Sequence, residues 1–314
     1  MNFGEVEDHL IPKIDFSLPD DGLQTFKILK HGKRAKSPAF YVGCAKWDRK
    51  EWLNMIYPPK TKRANFLDEY VKSFNSVELN AAFYRIPTIE QVRKWRLKVE
   101  QNAQGQFLFF PKFSGVITHM KRLKAAEGAT DLYLSNFSEF GKYLGPYFIQ
   151  LADKFSPKSY EVLENYLKYL PRDIKVFVEL RHEQWFSDSV IRKDLFDMLS
   201  NLQKGVVITD TSGRRDLVHM ELTIPEIFIR FVGNGEKHQA SDFARIDEWT
   251  ARIKKWLDQG LENVYFFLHQ HDEKDTPILA NYTIQQFNKY LGAHVAEVKF
   301  LGGGKDITKQ GDLF

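Results

Sequence analysis

Eight short apolar segments recur along the chain, and nearly every one runs into a polar or charged residue at its end. They are AFYVGC (39–44), NSVELN (75–80), QFLFFPKF (106–113), GPYFIQL (145–151), IKVFVEL (174–180), GVVITD (205–210), EIFIRFV (226–232) and NVYFFLH (263–269). Short and rich in Val, Ile, Phe and Tyr, they read as parallel strands buried on both faces. Between them the apolar residues change to helical spacing. Leu67, Val71 and Phe74 are one such set, and Tyr160, Leu163, Leu167 and Leu170 a second; Ile246, Trp249, Ile253 and Trp256 form a third, and Ile284, Phe287 and Leu291 a fourth. Sustained alternation of strand and helix makes a parallel sheet with helical crossovers. Eight such units predict an α/β protein with a closed (β/α)8 TIM-type barrel over 39–300. The competing architecture is an open doubly wound sheet, but no Gly-rich dinucleotide turn follows the first strand.

Barrel chemistry sits where strands end and loops begin, so the residues closing the strands are the candidate site. Glu78 and Asn80 are two apart on the second strand and share one side of its pleat, as do Glu179 and Arg181 on the fifth. Charges inside a barrel rim are costly unless paired, so Glu78, Glu179, Arg181 and Arg230 are expected to form one network. Lys112, Gln150, Asp210 and His269 are expected on the same face. One reading is a structural ion-pair cluster that closes the barrel top. The other is a site in which Glu179, with Glu78, acts as acid or base while Lys112, Arg181 and Arg230 hold an anionic group. His119 and His182, beside the third and fifth strand ends, are candidates for moving a proton near neutrality. Trp47 and Trp185 could stack on a sugar or base, or pack beneath loops. Gly213, Arg214 and Arg215 form a small basic loop over the same face, without P-loop spacing. Glu78, Glu179, His182, Asp210, His269 and His271 carry ligand atoms, but no HExxH-like spacing is present; no cofactor is predicted, and a divalent metal is the lesser expectation.

The 314 residues, 43% hydrophobic and 14% aromatic, suffice for one full core. No apolar run approaches the roughly 20 residues of a membrane span, and the polar, acidic N-terminus is unlike a signal peptide. A single cysteine, Cys44, suits a reducing cytoplasm. A net charge of +4, from 45 basic and 41 acidic residues, does not by itself imply nucleic acid. Residues 1–38 carry Pro12, Pro19 and Pro38 without periodicity, and are expected to drape on the barrel or to be partly disordered. The basic run KHGKRAK (30–36) reads as a solvated loop. Residues 301–314 are expected to be a flexible tail.

Several motifs are more specific. SVELNAAFYRIP (76–87), KFSGVITHMKRL (112–123), VELRHEQWF (178–186) and YVGCAKWDRKEW (41–52) followed by YPP (57–59) closely resemble the YecE-like family, a domain of unknown function numbered seventy-two. The resemblance runs from about Tyr41 to Asn281 and implies a β/α barrel, without an established activity. Where the family usually has Ser-Gly-Trp, this chain has Ala45-Lys46-Trp47, and where it has Gln-Leu-Pro-Pro, Gln150-Leu151-Ala152-Asp153. Arg-Leu-His-Gly becomes Arg230-Phe231-Val232-Gly233, and Asn-Asn becomes His269-Gln270. The chain therefore reads as a divergent member, rebuilt at its seventh and eighth strand ends.

The tail ends in QGDLF, preceded by Gly302, Gly303 and Gly304. It resembles the Gln-x-x-Leu-Phe peptide with which bacterial polymerases and repair proteins hook onto the sliding clamp, making Gln310, Leu313 and Phe314 candidate partner contacts. Packing of the tail on the barrel is the competing reading. Three functions are thus carried forward. The first is an enzyme acting on an anionic, phosphorylated or nucleotide-like substrate by glutamate acid/base chemistry, with hydrolysis and DNA processing in view. The second is a glycosidase using Glu78 and Glu179 as its carboxylate pair. The third is a non-catalytic binding or adaptor protein.

Overall fold

A computed structural model describes residues 3–30 and 32–301. The strands follow the apolar segments closely: β1 (Ala39–Cys44), β2 (Ser76–Leu79), β3 (Leu108–Pro111), β4 (Tyr147–Gln150), β5 (Val176–Glu179), β6 (Gly205–Asp210), β7 (Glu226–Gly233) and β8 (Asn263–Gln270). Their order is β3-β2-β1-β8-β7-β6-β5-β4, with every pairing parallel. The remaining seam, between β3 and β4, is joined by the bridges Phe109↔Leu144 and Lys112↔Phe148. Across it Gly145 N donates to Phe109 O at 2.8 Å and Phe113 N to Phe148 O at 2.9 Å. The sheet thereby closes on itself as a barrel, so the expected architecture is the one observed.

Strand alternation sorts the side chains into two cores. Inside the barrel, Tyr41, Phe110, Phe148, Phe177, Val207, Phe228, Tyr265 and Phe267 form one apolar cluster. Its rings pack centroid to centroid, Phe110 to Phe267 at 4.8 Å and Phe228 to Phe267 at 5.0 Å. Outside, residues of opposite parity such as Val42, Val77, Ile149 and Val178 pack against the helical layer. Trp249 and Trp256, at helical spacing on the helix Gln239–Asp258, are fully buried there. The aromatic interior makes the barrel a packed core rather than a pore, so the next inward positions toward the strand C-termini form a polar floor at its mouth.

Helix starts have local causes. Asp188 accepts from Val190 N and Ile191 N at 2.9 and 3.0 Å, satisfying two of the free amides of the helix Ser189–Asn201. The described part of the N-terminal extension lies on the barrel: Asp21 receives Arg252 and Lys255 at 2.7 Å each and Trp256 Nε1 at 3.1 Å. Among the described residues no helix is long and apolar enough to cross a membrane.

Candidate functional site

The floor of the mouth is a charged bridge. Arg230, from the middle of β7, donates from Nε to Glu78 Oε2 and from Nη2 to Glu78 Oε1, both at 2.8 Å, and from Nη1 to Glu179 Oε2 at 2.7 Å. All three side chains are at most 1% exposed. Asn80 Nδ2 donates to Glu78 Oε1 at 2.7 Å, and Arg181 Nε to Glu179 Oε1 at 2.8 Å. His269 Nε2 lies 3.1 Å from Glu78 Oε2 and 3.4 Å from Arg230 Nη2. The carboxylate can only accept and the guanidinium only donate, so the tautomer of His269 decides which of the two Nε2 engages. Burial pushes both glutamates up, but neighbouring cations outweigh it. Arg230 and His269 hold Glu78 well below the usual carboxylate range, and Arg181, Arg230 and Lys112 bring Glu179 down to about 2. Both are fixed negative charges at neutral pH, and all four of their oxygens are engaged.

A cationic half sits beside this bridge. Lys112, just past β3 and 6% exposed, donates from Nζ to Gln150 Oε1 and lies 4.3 Å from the centroid of the Phe83 ring. Burial, then the charge of Arg230, lowers its ammonium to about 7, against the pull of Glu179 and Glu78. Arg181 is likewise buried, and its Nη2 has no hydrogen-bond partner among the described residues. His119 is carried on a π-helical turn, Val116–Met120, with its Nδ1 2.8 Å from Thr118 Oγ1 and its ring edge-on to Phe83 at 4.9 Å. Burial, Lys112 and Arg181 lower its pKa, leaving the imidazole neutral at pH 7. Lys112 is thus the mouth group whose environment allows proton exchange near neutrality, with His119 beside it as a neutral imidazole able to accept a proton.

Other expected residues lie elsewhere. Asp210 closes β6 with outward parity: its register partner is Phe231, whereas Thr209 pairs with the inward Arg230. Its side chain enters the helical layer, bonded to Arg245 and Trp249 Nε1 at 2.7 Å each and to Arg215. It does not join the other strand-end residues. Trp185 is fully buried, with Nε1 donating to Phe155 O at 2.7 Å and its ring stacked on Phe155, so it offers no face to a ligand. Trp47 packs edge-on to Trp95 at 5.7 Å. His182 Nδ1 accepts from Gln184 N at 3.3 Å, outside the bridge. Arg214 is held by Asp216 at 2.8 and 2.7 Å and donates to Arg181 O at 2.6 Å. Among the described residues no three His, Cys, Asp or Glu side chains gather as a metal site would need. Gln310, Leu313 and Phe314 lie outside the described residues. Sequence reasoning gave no site role to Phe83 or to Phe3. Phe83 stands in a quoted motif five residues after Glu78, but Phe3 has no periodic signal.

A closed parallel β/α barrel with a buried Glu-Arg-Glu bridge across its mouth defines the class of protein. The chain belongs to the family described as protein of unknown function DUF72, whose profile matches residues 41–299. It is 27% identical over 294 residues to the UPF0759 protein YecE of Escherichia coli (strain K12), covering 87% of this chain and 99% of that one. It is 28% identical over 157 residues to the UPF0759 protein YunF of Bacillus subtilis (strain 168), covering 47% and 52%. Solved DUF72 structures share the fold: one from Enterococcus faecalis V583 (TM-score 0.62, 17% identity, 85% and 99% covered) and one from Thermotoga maritima MSB8 (TM-score 0.57, 23% identity, 81% and 99% covered).

Proposed function

We propose that the barrel mouth is the active site of a cytoplasmic enzyme for an anionic, phosphorylated or nucleotide-like substrate. The observation that carries this is Lys112, buried beside a buried Arg181 whose Nη2 has no partner among the described residues. An anion hydrogen-bonded there satisfies Arg181 and raises the affinity of Lys112 for its proton, so binding loads an acid in the site. The reaction class that fits is hydrolysis. Neutral His119 takes a proton from water as its oxygen attacks the phosphorus, while the Lys112 ammonium protonates the leaving oxygen as its bond breaks. Glu78, Glu179 and Arg230 act as the fixed floor that orients the cations. This differs from acid/base catalysis by Glu179, because its carboxyl is held ionised and both oxygens are occupied. A glycosidase pair is less supported still, since the Arg230 guanidinium joins the two carboxylates where a sugar would have to pass.

The test is calorimetric titration with sulfate at low ionic strength. The intact protein should bind it, and Arg181→Ala should weaken binding by about 1.5–3 kcal/mol, the worth of hydrogen bonds to a charged group. Absence of sulfate binding by the intact protein would reject the reading.

We also propose that Gln310, Leu313 and Phe314 tether the enzyme to a sliding clamp, which would bring the site to DNA. The support is the terminal QGDLF sequence after three glycines. Full-length protein should be retained by immobilised clamp, and protein lacking residues 310–314 should not. Equal retention, or none for either, contradicts it.

A further inference from the structure

The matched family region begins at residue 41, yet the segment before β1 reaches the barrel mouth. Phe3 lies flat on a cation of the site: its ring centroid is 3.6 Å from Arg181 Cζ and 5.7 Å from Arg214 Cζ. The following residue fixes this position. Gly4 O accepts from Gly213 N at 2.8 Å and from Thr211 Oγ1 at 3.2 Å. The fit uses two glycines. Gly4 has φ +71°, and a Cβ there would lie 2.4 Å from Thr211 Cγ2; a Cβ on Gly213 would lie 3.0 Å from Gly4 O. Beneath the ring, Arg181 Nη2 is buried without a hydrogen-bond partner among the described residues.

Arg181 Nε is taken by Glu179 and Nη1 lies 3.8 Å from Asp153 Oδ1, so a guanidinium with its buried Nη2 unpartnered among the described residues and one face covered by a ring is a two-part seat, since Arg recognises anions through its edge and planar rings through its face. Phe3 fills the second part only. Its ring is half-buried, so a ligand ring can compete with it for the same face.

We propose that Phe3 is an internal ligand, occupying on Arg181 the seat of a planar ring carried by the substrate. The substrate class is then an anion with an attached aromatic ring, such as a nucleoside monophosphate, and its binding requires the strap of Phe3 and Gly4 to lift. This rests on the anion-binding reading of the mouth and adds to it a ring seat and a built-in competitor.

Adenosine monophosphate and sulfate serve as probes on the intact protein, Phe3→Ala and Gly4→Ala. Phe3→Ala empties the seat; Gly4→Ala unseats the strap while keeping the ring, because its Cβ has no room against Thr211. Both variants should bind adenosine monophosphate at least tenfold more tightly than the intact protein, with a clearly smaller gain for sulfate. Unchanged nucleotide affinity overturns the proposal, and so does an equal gain for both probes, which would make the strap a simple cover. In those cases sulfate binding that depends on Arg181 leaves the anion reading standing. If neither probe binds any of the three proteins, the anion reading itself has failed and the ring seat with it.

Discussion

Arg230 holds a single charge between two carboxylates, all three side chains being buried, and its removal would leave both unbalanced. Arg230→Met keeps most of the volume but strips the floor of its cation. Losing one partner of a buried pair typically costs about 3–5 kcal/mol. Urea unfolding should show a loss of that size; a loss under about 1 kcal/mol would mean that the bridge is not what orders the mouth. Lys112 has the opposite sign. Its ammonium falls from 10.5 to about 7 on folding, so between those values the unfolded chain binds more protons than the folded one. Stability contributed through this group therefore rises with pH from about 7 to about 10.5; the penalty is fully present below 7 and gone above 10.5. Lys112→Met should melt at a higher temperature than the parent at pH 6, with the difference shrinking toward pH 10. A constant difference across that range would place the lysine outside the buried environment described above.

At the scale of elements, parity decides which strand-end residues meet. Glu78, Lys112, Gln150, Glu179, Arg230 and His269 follow the inward side chains of their strands by multiples of two, and this was legible because the limits of the apolar segments lie within about two residues of the strand limits. Asp210 shows where such reading stops. It ends β6 as Glu179 ends β5, yet the inward residues of β6 are Val207 and Thr209, and only the register with β7 reveals this. Trp185 and Trp47 were ambiguous because a ring after a strand can serve a ligand or a core, and only their packing partners, Phe155 and Trp95, reveal which. The barrel closure also depends on close approach. Gly43 pairs with Ser76 across β1 and β2, and a Cβ on it would lie 2.1 Å from Ser76 O. Gly43→Ala must therefore push two strands apart, at about 1–3 kcal/mol by the usual cost of overpacking. An unchanged urea midpoint would contradict that.

For the whole molecule, the barrel is shared with the family while the strap and the tail lie outside its matched span, 41–299. The segment before β1 gave no clear periodic signal because its described helical pieces are short, Asp8–Lys13 and Leu23–Leu29, and single contacts such as Phe3 on Arg181 and Asp21 on Arg252 and Lys255 help hold it to the barrel. The central claim is that the mouth binds an anion together with a proton on Lys112. Sulfate keeps its charge across neutral pH, and His119 titrates below its ordinary value, so Lys112 is the group that should set the pH dependence. The most direct measurement is sulfate affinity by calorimetry from pH 6 to pH 9, for the parent and for Lys112→Met. The parent should weaken as pH rises through about 7, with proton uptake on binding, and the variant should bind weakly with no such dependence; pH-independent binding by the parent, or the same pH profile in both proteins, would contradict the account.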